Sequence, residues 1–274
     1  MRGTIGSTLV DFEVVPKRVD HAPQAYDVIH LANGYPTDAE KRERHTRFVA
    51  QQLERFPEGQ FVAIVREGGR ERVVGTSTTL RTCRPPTEAP LCWQHVIGDY
   101  GIPNHDPEGR WLYGVEIAVH PAFQRRGIAS ALYRTRLGLV EELDLDGWYA
   151  GGMLMGYHRY ADRLSPRAYA ERVIEGTLDD PTVSMQMRRG LVPAGIIEDY
   201  YAEPKAGNCA VLLTWTPAAA RDGASARERV AARKGAVGAP SPAQPLAHRS
   251  AVRGTAGAAG AARVRSKRRG STRG

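Results

Sequence analysis

Cysteine is scarce in this chain: three residues in 274, Cys83, Cys92 and Cys209. None forms a C-x-x-C pair, and an odd count gives no disulfide framework. Long apolar runs are missing too. No stretch of about 18 apolar residues exists to span a bilayer, and the N-terminus lacks the apolar core of a signal peptide. A reduced, cytoplasmic location is therefore expected, with no membrane partner. Two nucleotide fingerprints are also absent. No Gly-Lys-Ser/Thr follows a glycine-rich loop, which excludes a P-loop, and there is no G-x-G-x-x-G for a dinucleotide. His95, His105 and His158 have no partner at metal-ligand spacing, so no metal is expected.

The net charge of +8 is unevenly placed. Positions 218–274 hold 13 Lys and Arg against 2 acids, while the other 217 positions hold 25 basic and 28 acidic groups. The body is mildly acidic and the basicity lies in a tail. Residues 217–274 are mostly Ala, Gly, Arg and Pro with almost no large apolar side chains. They cannot offset the entropy of ordering, and the tail is expected to be disordered. Nucleic acid would associate only through this tail, by counterion release. A passive extension is the plainer reading.

Residues 1–216 are expected to form one α/β domain. Strands are expected at 9–15, 60–66, 71–81, 111–119, 147–150, 192–201 and 209–215. Helices are expected at 21–31, from Asp38 through the apolar series Phe48, Val49, Leu53 and Phe56, and at 128–143, with shorter helical pieces at 166–175 and 184–189. Gly68-Gly69 joins two strands as a hairpin. Two stretches, about 82–110 and 151–183, are expected as irregular insertions.

One segment carries most of the functional information. The apolar run 111–119 is followed by His120-Pro121-Ala122-Phe123, then Gln124-Arg125-Arg126-Gly127-Ile128-Ala129-Ser130, then a helix whose apolar residues Ile128, Leu132, Leu139 and Leu143 recur at helical spacing. A strand, a turn rich in N–H donors and a helix start make an anion site without a metal, because the first N–H groups of a helix lack internal partners and the dipole adds positive charge. The competing reading is a plain crossover with two solvated arginines.

The run Gln124 to Ala129 matches the Q/R-x-x-G-x-G/A signature of the GNAT superfamily of N-acetyltransferases, and Glu116-Ile117-Ala118-Val119-His120-Pro121 resembles the strand and turn before it. Residues 180–186 and 195–200 are similar to a GNAT branch sometimes fused to a nitrilase-like carbon-nitrogen hydrolase domain. The resemblance implies a mixed, mostly antiparallel splayed sheet flanked by helices, and an acetyl-CoA cosubstrate. Backbone amides of Gln124, Arg125, Arg126, Gly127, Ile128, Ala129 and Ser130 would cradle the pyrophosphate. Ile117, Ala118 and Val119 would pair with the pantetheine arm like an added strand, and the Val119 N–H would polarise the carbonyl.

The chemistry this implies is acetyl transfer to a small-molecule or peptide amine by direct attack. The attacking ammonium must first lose its proton, and Glu116 is the candidate base; a salt-bridged or solvated Glu on a sheet face is the alternative. Many family members place an acidic Tyr four residues before a Gly-Phe pair. Here Gly190-Leu191 stands at that pair and Gln186 replaces the Tyr, so Tyr160 or Tyr157 is the candidate acid. A non-catalytic acyl-CoA-binding module is the alternative this departure raises. His120 is expected as a turn residue, Cys92 as the thiol nearest to reactive, and Asp99, Asp106 and Glu108 as loop acids.

Overall fold

Seven strands form one sheet in the order β1-β2-β3-β4-β5-β7-β6. The computed structural model describes residues 11–88 and 92–218. The elements run β1 (Glu13–Pro16), α1 (Ala22–Asn33), α2 (Ala39–Arg55), β2 (Gln60–Glu67), β3 (Arg70–Thr82), α3 (Trp93–Ile97), β4 (Trp111–Val119), α4 (Ile128–Glu142), β5 (Gly147–Met153), α5 (Pro166–Ile174), α6 (Val183–Arg188), β6 (Val192–Ile197) and β7 (Ala210–Trp215). Every neighbouring pair is antiparallel except β4–β5, which is parallel. This is the mixed, mostly antiparallel α/β sheet expected above.

Local chemistry sets the helix ends. The Asp38 side chain caps α2 by accepting from the Lys41 N–H at 2.8 Å. Ser165 caps α5 in the same way through the Ala168 N–H. The apolar stripe of α4 is Ile128, Leu132, Leu139 and Val140, all buried. It packs with Ala63, Val65 and Val74 of β2 and β3 at one end, and joins the main core at the other.

Some expectations need correction. The 82–110 stretch is not wholly irregular. It carries α3, and Trp93, Val96, Ile97 and Ile102 are buried in the main core. Trp93, Val96 and Ile97 stand at i, i+3 and i+4, the helical pattern in miniature, hidden by the surrounding Pro and Gly. Strand β1 begins at Glu13, and the predicted residues 9–10 lie outside the described residues. Strand β6 stops at Ile197 rather than 201, because Asp199 takes a φ of 52° and turns the chain. Tyr200 then drops into the core, its hydroxyl 2.8 Å from that of Tyr113. The predicted disordered tail lies outside the described residues from 219 onward.

The Trp148 ring packs onto Gly114 of β4, where an added Cβ would stand 2.6 Å from it. Gly114→Ala is therefore expected to overpack the sheet and lower stability by about 1–3 kcal/mol. A calorimetric Tm unchanged from that of the parent would contradict this.

Candidate functional site

The site is built where the ladder fails. β4 and β5 pair over only Trp111–Gly147, Leu112–Trp148 and Tyr113–Tyr149, and then part. On the other side of β4, Thr78 pairs with Glu116 while Thr79 pairs with Gly114, so Val115 is an extra residue in the strand. Such a bulge bends the strand and re-aims the side chains beyond it. The His120 N–H donates to Val74 O of β3 at 2.9 Å. Strand alternation then turns the backbone groups of Val119 and Ile117 towards the open side. One of them, the Val119 carbonyl, accepts from Gln124 Nε2 at 3.2 Å.

Beyond the turn, the chain bends sharply into α4. Arg125 has φ 61° and Gly127 φ 87°, both left-handed. A non-glycine residue in that region is strained, and such strain is characteristic of ligand clamps. Among the described residues, no acceptor is present for the backbone N–H groups of residues 125–130; the first helical bond runs from Ala131 N–H to Gly127 O. These donors open into a cavity of about 640 Å³ that Val119, Gln124, Arg125, Gly127, Ile128, Ala129 and Ser130 help to line. Arg189 joins the same wall and donates to Ser130 Oγ at 3.0 Å. Arg126 turns aside, its guanidinium 5.5 Å over the Phe123 ring. Unsatisfied N–H groups beside a cation fit a diphosphate.

A second cavity of about 490 Å³ continues from the first, and Ile117, Ala118, Tyr133, Met155 and Thr182 line both. Glu116, half-buried, stands in its wall. Lys17, 3% exposed, donates from Nζ to Thr78 Oγ1 at 2.9 Å, and Thr78 Oγ1 donates to Glu116 Oε1 at 3.3 Å. Burial raises the Glu116 carboxyl above its ordinary range, opposed by the Lys17 charge, the Thr78 hydrogen bond and Arg136. Burial also pulls Lys17 down to about 8, opposed by the charge of Glu116.

Arg136 spans the gap between the parting strands. Only 1% exposed, it reaches Glu116 O at 3.4 Å and lies over the rings of Tyr133 and Trp148 at 4.5 and 5.1 Å. Its burial lowers its pKa. The Tyr133 hydroxyl accepts from Gln186 Nε2 at 2.8 Å. That bond occupies an acceptor position and leaves the hydroxyl hydrogen available to the cleft. Gln186, the residue standing in place of the expected Tyr, thus positions another tyrosine.

Not every predicted residue reaches the cleft. Tyr160 does not line the cavity that holds Glu116; its ring packs 5.1 Å from Tyr169 and carries Arg163 at 5.4 Å. Tyr157 is buried and donates to Leu164 O. His120 caps its turn by accepting from the Ala122 N–H. Asp99 and Asp106 accept backbone N–H groups of their own loop. Cys92 Sγ lies 2.6 Å from His95 Nδ1, outside the cleft walls. Among the described residues, no cluster of three or more His, Cys, Asp or Glu could hold a metal, and no helix is long and apolar enough to cross a membrane.

Lys17, Tyr133, Arg136 and Arg189 do not stand out in the sequence as site residues. Arg136 does leave a trace: it stands on the 128–132–136–139 stripe, where a charge is out of place. The other three carry no local signal, since the chain brings them together only by folding.

A parted β4–β5 pair beside an N–H-lined turn leaves an open slot whose geometry an extended, phosphate-bearing ligand would fit. Comparison with known proteins gives the family. The model of the acetyltransferase (GNAT) family matches residues 25–151. The chain is 30% identical over 167 residues to the uncharacterized N-acetyltransferase YkwB of Bacillus subtilis (strain 168), covering 61% of this chain and 72% of that protein. It is 34% identical over 164 residues to the probable hydrolase YhcX of the same strain, covering 60% of this chain but only 31% of YhcX. The solved structure of GphF, a GNAT-like decarboxylase in complex with isobutyryl-CoA, matches with a TM-score of 0.58 at 19% identity, over 74% of this chain and 98% of that one; it shows the same fold. This chain belongs to the GNAT acetyltransferase family, whose members use acyl-CoA.

Proposed function

We propose that the protein is an N-acetyltransferase that moves acetyl from acetyl-CoA to an amine by direct attack, with both substrates bound together. The observation that carries this reading is the shared wall. The cavity lined by unsatisfied N–H groups and the cavity holding Glu116 meet at Ile117, Ala118 and Tyr133. Acetyl-CoA supplies an activated acyl group as a thioester. The N–H groups of residues 125–130, with Arg189, hold its diphosphate. Gln124 fixes the turn through Val119 O, and Ile117 and Val119 offer backbone groups to the pantetheine arm, with Ala118 between them paired to β3. The Val119 N–H polarises the carbonyl.

Glu116 takes the proton of the attacking ammonium, directly or through one water. Lys17 and Thr78 favour its charged form against the burial that raises its pKa. As the nitrogen–carbon bond forms and the carbon–sulfur bond breaks, a proton is needed at the departing sulfur. Tyr133, held by Gln186, takes the role expected for Tyr160. Tyr133→Phe is expected to lower kcat by about 10- to 100-fold with little change in the KM for acetyl-CoA. The assay is amine-dependent thiol release; a kcat within twofold of the parent would remove Tyr133 from the mechanism.

A further inference from the structure

A third cavity, of about 390 Å³, lies between α1 and α2 and ends on Glu116. Its inner walls are aromatic: Tyr26, Phe48 and Tyr100. Glu116 is the one acid in its lining, and Lys41 and Arg44, both exposed, stand at its mouth on α2. The other α2 arginines are engaged elsewhere. Arg42 pairs with Asp27 at 2.8 Å, Arg47 with Glu43 at 3.9 Å, and Arg55 donates to Gly101 O at 2.7 Å. Among the described residues, Lys41 and Arg44 have no ion-pair partner. The two α2 cations left unengaged are thus the two that face this cavity.

We propose that the acceptor is a small amino acid, an amine carrying a carboxylate on the same molecule. This rests on the acetyltransferase reading and names the substrate class for its site. The ammonium end enters towards Glu116 between aromatic walls, where ring faces favour a cation. The carboxylate stays at the mouth, where Lys41 and Arg44 supply its counter-charge. A plain alkylamine leaves both cations unmatched. A polyamine brings its second positive charge against them, and like charges in such a position select against a ligand.

The test uses the full chain with acetyl-CoA and three acceptors, glycine, β-alanine and γ-aminobutyrate, each beside its primary amide. The best amino acid should exceed its amide in kcat/KM by about tenfold, the worth of two exposed charge pairs. In the double variant Lys41→Glu/Arg44→Glu that preference disappears through KM. In Arg47→Glu, on the same helix but outside the cavity, it persists. Equal use of acid and amide, or a preference that survives the double variant, overturns the proposal. Calorimetric binding of the same acids separates the two levels. If no amine turns over at all, the acetyltransferase reading fails. Amino-acid binding that vanishes in the double variant would then still support this cavity as an amino-acid site, and no binding would refute it.

Discussion

Glu in place of Gly127 is expected to abolish acyl-CoA binding, with an affinity loss of more than about 100-fold, or roughly 2.7 kcal/mol. Two effects add. Gly127 has φ 87°, which costs any side-chain residue about 1–2 kcal/mol. A Cβ there meets no protein atom within 4 Å and projects into open cavity. The protein therefore tolerates the side chain, while the diphosphate meets a carboxylate where it needs N–H donors. Gly127→Ala isolates the backbone strain and should lose only about tenfold. Calorimetric titration with coenzyme A reads both, and the parent's thermal transition serves as the folding control. Unchanged affinity in Gly127→Glu would remove residues 124–130 from the site.

Glu116→Gln should lower kcat by about 10²- to 10³-fold, because the amide cannot accept the proton. The pH dependence identifies its environment. Burial raises the Glu116 carboxyl, and only the carboxylate acts as base, so kcat/KM should rise with pH through a limb above the ordinary carboxylate range. Lys17 after β1 and Arg136 on α4 act on the Glu116 carboxyl, Thr78 of β3 is hydrogen-bonded between Lys17 and it, and His30, Lys41, Arg44, His45, Tyr100 and Glu203 share its cavities. Lys17 and Arg136 both favour the charged form. Lys17→Met removes one of them, so the proton is held more tightly and the limb moves to higher pH. Thr78→Val should move it in the same direction by less. A Lys17→Met profile that loses amplitude without shifting would make Lys17 a packing residue only.

Much of the fold is legible in the sequence because its signals are local. The strand at 111–119, the glycine turn at 127 and the apolar stripe of α4 are contiguous in the chain, and they mark the side of the cleft proposed for the cofactor. The acceptor side is not legible in the same way. Lys17 follows β1; Glu116, Tyr133 and Gln186 lie on β4, α4 and α6, and the four meet only when the sheet forms. Tyr160 draws attention as a substitute for the tyrosine that Gln186 replaces. Its aromatic neighbourhood draws it onto Tyr169 instead of the cleft. Within 82–110, three apolar residues at helical spacing are outweighed by Pro and Gly, although their burial is what anchors that segment.

The most direct test is a crystal structure of the chain with coenzyme A. The diphosphate is expected on the N–H groups of residues 125–130, the pantetheine along Ile117–Val119 between β4 and β5, and the sulfur beside Tyr133. A ligand bound elsewhere, with the turn at Gly127 empty, would contradict the assignment of this cleft to acyl-CoA.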